Sequence, residues 1–279
     1  METGWVIPSI YSRDRRRLDA TTERRPIGIA AADRFRAILV EPAGILYDDT
    51  AWQRWLLKVL GRMGLHTQYQ PFFHLFETEF LSESYRGRRD FWDAWRDFLL
   101  RVGLRKGQID ELAIAATAKR AQYERELRPM PGVPAALALL HTRGADLVVL
   151  ANTTECKQRL LDKLGRMAIG QRLKSAISSR DLGVAMPDAE CYLAAIEEIA
   201  MPRSEILFAA ADSRSLQGAR RVGIRTATLR STGQIADITV DRLDDLNPLV
   251  HEPDNIARRS LPGDALPGDA LPFPRAKAG

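Results

Sequence analysis

The chain has 279 residues, 45% hydrophobic and 28% charged, with a net charge of +5. That is enough for one sizeable α/β domain, or for a core with an inserted subdomain. No apolar run reaches the roughly 20 residues of a membrane-crossing helix, and the opening METGWVIPSIYSRDRRR lacks the apolar segment of a secretory signal. The expectation is a reduced, cytoplasmic setting with Cys156 and Cys191 as free thiols. His66, His74, His141 and His251 form no HxxxH or HxH pair, so no zinc site is expected.

Residues 1–34 read as a flexible basic arm carrying Arg13, Arg15, Arg16, Arg17, Arg24 and Arg25. Asp14, Asp19 and Glu23 interrupt it and aromatics do not interleave it, which favours a solvated arm over one that binds nucleic acid or a membrane. Ala37–Val40 is a short apolar run that ends at Glu41, the pattern of a buried strand delivering a carboxylate to its tip. From 50 to 127 the pattern is helical throughout: AWQRWLLKVLGRMG, QPFFHLFETEFL, RDFWDAWRDFLLRVG and QIDELAIAATAKRAQYERE are amphipathic segments with no strand between them. Trp52/Trp55, Trp92/Trp95 and the stripe Phe72, Phe73, Phe76, Phe80 predict the interior of this helical unit. Exposed together, they would mark a surface for a protein partner or for self-association. Arg86–Asp90, RGRRD, reads as a solvated helix start.

The rest of the core, 128–250 with 35–49, alternates. A helix over Val133–His141 precedes the strand ADLVVLAN. The helix ECKQRLLDKLG precedes the strand candidate LKSAISS, and the helix DAECYLAAIEEIAM precedes the strand SEILFAAADS. The helix LQGARRVG then leads to the strands IRTATLR and ADITVD. This order predicts an α/β fold: a doubly wound, parallel, Rossmann-like sheet with right-handed crossovers and an inserted all-helical cap at 50–127. In such sheets chemistry lies at the strand C-termini, here Glu41, Ala151–Asn152 and Ala211–Asp212. From 251 to 279 the repeated LPGDA predicts a disordered Pro/Gly-rich tail.

This organisation resembles the haloacid dehalogenase-like (HAD) superfamily, in the subgroup with a helical cap after the first strand. EPAGIL keeps Gly44 and Leu46 of the first motif, and VVLANT keeps Asn152 of the second. SSRDLGVAMPDAECYLAAI keeps Gly183, Pro187 and Asp188, and ILFAAADSRSLQGARRVGI keeps Gly218, Ala219 and Gly223. The positions to which the resemblance assigns chemistry are altered. Glu41 stands for the nucleophilic Asp, Ala43 for the acid/base Asp, Ile45 for the Thr of the first motif, and Ala151 for the phosphate-binding Ser/Thr. Met186 stands for the Lys, Ala211 for the metal-binding Asp and Ser215 for the second acid.

The family reaction is attack by a carboxylate, usually on a phosphate ester, with Mg²⁺ and a Lys neutralising charge. Glu is one methylene longer than Asp, and misplacing a nucleophile by about 1 Å can cost on the order of 10²-fold. A register shift would let Asp212 stand in for Ala211, but the flanking residues align without a gap, so Asp212 reads as a strand-end or turn residue. If a pocket is open, Glu41, Ala43, Ala151, Asn152, Met186 and Asp212 would line it. With Ile45, Ala210 and Ala211, the substitutions predict a small apolar space closed by packing, with Met186 filling it. Two readings follow. In the first, the chain is a HAD-fold protein without hydrolase activity or cofactor, acting as a binding or regulatory module. In the second, it is a divergent phosphatase or dehalogenase-like hydrolase of a small phosphorylated or halogenated metabolite, with Glu41 as nucleophile and Mg²⁺ where phosphate is the substrate. The substitutions touch each step of the mechanism and favour the first.

Overall fold

Ala37–Val40 forms strand β1, with all four side chains buried. A strand can be apolar on both sides when helices cover both faces of its sheet. The computed structural model describes residues 34–229 and 236–251. The arm expected at 1–34 and the tail expected at 251–279 therefore lie outside the described residues, except for Arg34 and His251. After β1 come five helices, α1 (Thr50–Arg62), α2 (Tyr69–Leu75), α3 (Ser82–Tyr85), α4 (Phe91–Arg101) and α5 (Lys106–Glu126), with a π-helical turn at Phe76–Phe80 continuing α2. The chain then alternates through α6 (Val133–Thr142), β2 (Asp146–Ala151), α7 (Lys157–Arg166), β3 (Ser175–Ser178), α8 (Ser179–Leu182) and α9 (Ala189–Ile199). It continues with β4 (Ile206–Ala209), α10 (Ser213–Arg221), β5 (Arg225–Leu229) and β6 (Ile238–Val240). A 3₁₀ turn at Leu243–Leu249 packs on α6.

The strands form one sheet in the order β3-β2-β1-β4-β5-β6, and every pairing is parallel. Alternate residues of each strand serve opposite cores. Ile38, Val40, Val149 and Leu207 pack with Leu137, Leu140 and Leu160 of α6 and α7. Ala37, Leu39, Leu150 and Phe208 pack with Tyr192, Leu216 and Ala219 of α9 and α10. The strand order reverses between β1 and β4, and the crevice beyond their C-terminal ends is where ligands of such sheets bind.

The helical cap has its own core. Trp52, Phe72, Phe73, Phe76, Trp95 and Phe98 are buried in it, while Trp55, Phe80 and Trp92 are half-buried against it. Trp52 Nε1 donates to the Ala116 carbonyl (3.0 Å), and the Arg120 guanidinium lies 3.6 Å from the Phe91 ring centre. The aromatic stripe thus turns inward. Where the chain leaves and rejoins the core, the two connections are joined by an antiparallel bridge, Tyr47 to Pro129, and by Met130 N–H donating to the Leu46 carbonyl (2.8 Å).

RGRRD is more than the solvated helix start expected from sequence. Asp90 is the N-cap of α4, accepting from Trp92 N–H (2.7 Å) and Asp93 N–H (3.3 Å). Arg86 turns to the core and pairs with Asp188 at 2.8 Å. The carboxylate sits across the domain boundary, so local sequence gave no sign of it. The sequence pattern also omits α3, α8 and the Leu243–Leu249 turn. Four residues make about one helical turn, too few to show a period, and Pro248 argues against helix in LDDLNPL. Among the described residues no helix is long and apolar enough to cross a membrane.

Candidate functional site

Glu41 follows β1, and its backbone N–H donates to the Ala209 carbonyl at the end of β4 (2.9 Å). The next residues form a tight loop. The Pro42 carbonyl accepts from Leu46 N–H (2.8 Å), and Gly44 adopts φ +76°, where a side chain would be strained. This loop fixes the Glu41 backbone and aims its side chain at the start of α10.

There Ser215 Oγ donates to Glu41 Oε1 (3.2 Å) and lies 3.3 Å from Asp212 Oδ2. Asp212 is the N-cap of α10, its carboxylate accepting from Ser215 N–H at 3.4 Å. Part of Glu41 reaches solvent, but Oε2 is enclosed with no hydrogen-bond partner. Burial, and then the neighbouring charge of Asp212, push the Glu41 carboxyl up from 4.5 to about 8, against the lowering effect of the Ser215 hydroxyl and the Asp212 N–H. At neutral pH Glu41 holds its proton.

One cation bridges the crevice, and it does not pair with Glu41. Arg214 Nε lies 3.4 Å from Asp212 Oδ2, and Arg214 Nη2 lies 3.5 Å from Glu77 Oε2 on the π-helical turn of the cap. Burial above all, offset in part by Arg214 and helped by the charges of Asp212 and Asp49, raises Glu77 to about 7.

The remaining predicted positions are spread between crevice and core. Ile45, Ala151 and Ala210 are buried, Ala43 is half-buried in the loop, and Ala211 is exposed. Met186 is 5% exposed and packs in the core cluster that holds Leu39 and Ala210. Asn152 clamps the Met186 backbone from both sides: Nδ2 donates to the carbonyl (2.9 Å), and Oδ1 accepts from the N–H (2.8 Å). The Met186–Pro187 peptide is cis. Ile45, Ala151 and Ala210 belong to the core interior, and the polar groups against the Glu41 carboxyl are Ser215 and Asp212.

The donor set does not fit Mg²⁺, which takes about six oxygen ligands. Ala211 offers no side-chain oxygen, and Asp212 is engaged by its helix and by Arg214. Among the described residues no group of three or more His, Cys, Asp or Glu is placed to hold a metal ion.

A family model described as haloacid dehalogenase-like hydrolase matches residues 23–223. The chain belongs to this family. No curated protein matches it. Among solved structures, an L-2-haloacid dehalogenase from Xanthobacter autotrophicus, bearing covalently bound chloropropionic acid, is 18% identical with a TM-score of 0.55, over 82% of this chain and 100% of that one. A 2-haloacid dehalogenase from Pseudomonas syringae is 16% identical with a TM-score of 0.51, over 81% and 100%. A HAD phosphatase from Thermococcus onnurineus is 19% identical with a TM-score of 0.51, over 77% and 97%. At these identities the likeness is one of fold.

In this HAD-like chain the retained motif residues do structural work. Asn152 holds Met186, Asp188 binds cap Arg86, and Gly218 lies where a Cβ would be 2.6 Å from Tyr192 Oη. Sequence reasoning missed Glu77 and Arg214. Both are common surface residues far apart in the chain, and only the seating of the cap brings them together.

Proposed function

We propose that this HAD-like protein is a binding or regulatory module without hydrolase activity, and that it works without Mg²⁺. The observation that carries this reading is the state of Glu41. Nucleophilic catalysis by a carboxylate needs the anion, and Glu41 is enclosed beside Asp212 with Oε2 unpartnered and no cation paired to it among the described residues, a setting that pushes its carboxyl up to about 8. Ala43 cannot protonate a leaving group, and Met186, turned into the core, cannot neutralise charge as a Lys would. The dehalogenases and the phosphatase of similar fold speak for the alternative, a divergent hydrolase, but likeness of fold does not carry activity.

The test is an assay of the purified chain with MgCl₂ against a panel of phosphate monoesters and 2-haloacids, beside Glu41→Gln. The expected result is no turnover above background for either protein. Turnover that Glu41→Gln abolishes would overturn the proposal.

A further inference from the structure

Between cap and core, apart from the Glu41 crevice, lies a groove of about 550 Å³. That volume is in the range of small-molecule sites, about 300–1,000 Å³. Five arginines line it: Arg88 and Arg89 from the loop before α4, Arg120 from α5, Arg159 from α7 and Arg180 from α8. Cap and core both contribute, so the groove exists only when the two are docked. Cap and core approach closely beside it. Gly87, at φ +72°, lies where a Cβ would sit 3.1 Å from both the Arg180 Cγ and its carbonyl oxygen.

The charge balance of the groove decides its ligand. Its three carboxylates are already engaged: Asp90 caps α4, Glu124 pairs with Arg120 (3.2 Å), and Glu155 pairs with Lys163 outside the groove. The arginines are less fully used. Arg89 pairs with Asp97, and Arg88 with Glu83 at 3.6 Å. Arg180 donates only to a carbonyl, that of Thr154 (3.1 Å). Arg159 is exposed on α7, and its side chain has no hydrogen bond or ion pair among the described residues. The groove therefore presents a positive surplus as planar, bidentate donors, the geometry that suits phosphate oxygens. Half-buried Phe91 and Trp92 form part of the wall.

We infer that this groove binds a small polyanion of the condensed-phosphate class, held from the cap by Arg88 and from the core by Arg159 and Arg180. Binding would fasten cap to core, because the ligand touches both. The inference does not depend on Glu41 being inert, since an active hydrolase would hold the same groove.

The test is calorimetric titration of the full chain, metal-free and at about 0.15 M salt, with inorganic pyrophosphate and with ADP as probes. Saturable binding of at least one probe is expected, weakened about 10- to 100-fold by Arg159→Ala and by Arg180→Ala, in line with loss of one charge-assisted contact. Arg166→Ala, which removes the same charge from the same helix outside the groove, is expected to change affinity less than about twofold. Tighter binding of ADP than of pyrophosphate would assign the wall of Phe91 and Trp92 to a ring; equal binding would assign the site to the phosphates alone. No saturable binding of either probe would overturn the inference. So would affinity untouched by Arg159→Ala and Arg180→Ala, or lowered as much by Arg166→Ala.

Discussion

Replacing Glu41 by Gln is expected to stabilise the protein at pH 8 and to leave it almost unchanged at pH 4.5. The folded state raises this carboxyl from 4.5 to about 8. Below pH 4.5 both folded and unfolded chains carry the proton, and the group contributes nothing. Between 4.5 and 8 the unfolded chain has released its proton while the folded chain still holds one. The folded state then binds more protons, so stability falls as pH rises. Each pH unit in that window costs about 1.36 kcal/mol, which sets a ceiling of about 5 kcal/mol at pH 8. Glu41 is partly reached by solvent, which brings the expected loss to about 3–4 kcal/mol. Gln has the same shape, cannot ionise and escapes the penalty, and Ser215 Oγ can turn to accept from its amide. Urea unfolding followed by circular dichroism at pH 4.5 and pH 8 reads the effect. With a slope of about 2 kcal/mol/M, the pH 8 midpoint of Glu41→Gln should lie about 1.5–2 M above that of the unaltered chain, at equal slope. A lower midpoint at pH 8, or the same pH dependence in both proteins, would refute the reasoning. It would mean that the folded state favours the ionised carboxylate, as a working nucleophile or metal ligand requires.

Asn152→Ala should destabilise by about 2–4 kcal/mol, since it leaves both the N–H and the carbonyl of Met186 unpaired in a buried stretch; chemical denaturation checks this. Gly218→Ala would gain up to about 1 kcal/mol from helix propensity. Its Cβ would meet Tyr192 Oη at 2.6 Å and the Pro187 carbonyl at 2.8 Å, and would disturb the buried Tyr192–Ser215 hydrogen bond. The net expected loss is about 3 kcal/mol, read as a fall in melting temperature. Arg86→Ala removes a partly exposed ion pair to Asp188, so global stability should fall by no more than about 1 kcal/mol, while limited proteolysis of the connections around Tyr47 and Pro129 should quicken several-fold. Adding MgCl₂ should move the melting temperature by less than about 1 °C, because a ligand that finds no donor set in the folded state does not stabilise it.

The centre of the sheet was readable because β1, β2 and β4 are short, largely apolar runs. Parallel sheets covered on both faces require that pattern. The cap was readable for the opposite reason: its helices are long enough to show a period, and its aromatic stripes point inward. What could not be read depends on how cap and core sit together. Arg214 and Glu77 meet across that boundary, and so do Arg86 and Asp188. The groove draws its arginines from four separate segments. Glu41 was visible as a carboxylate at a strand tip, but its protonation was not. That follows from the distance to Ser215 and the charge of Asp212, which a register of residue types does not contain. Alanines at motif positions do not tell which of them face the core: Ala151 and Ala210 do, Ala43 and Ala211 do not.

The motif residues that persist and those that have changed separate by the work they do in the fold. Gly44 turns the chain after β1, Asn152 pairs with a buried backbone, Asp188 ties cap to core, and Gly218 lets α9 and α10 approach. Each is costly to replace whether or not the protein turns anything over. Ala43, Ala151 and Ala211 occupy positions where a small residue closes the core or faces solvent at no packing cost. A fold can therefore keep the outline of its family's motifs after the chemistry has gone. Glu41 fits neither group, since it weakens the fold as pH rises and holds no structure that Gln would not hold. That makes Glu41→Gln the substitution that best separates an inert carboxyl from one still poised to act.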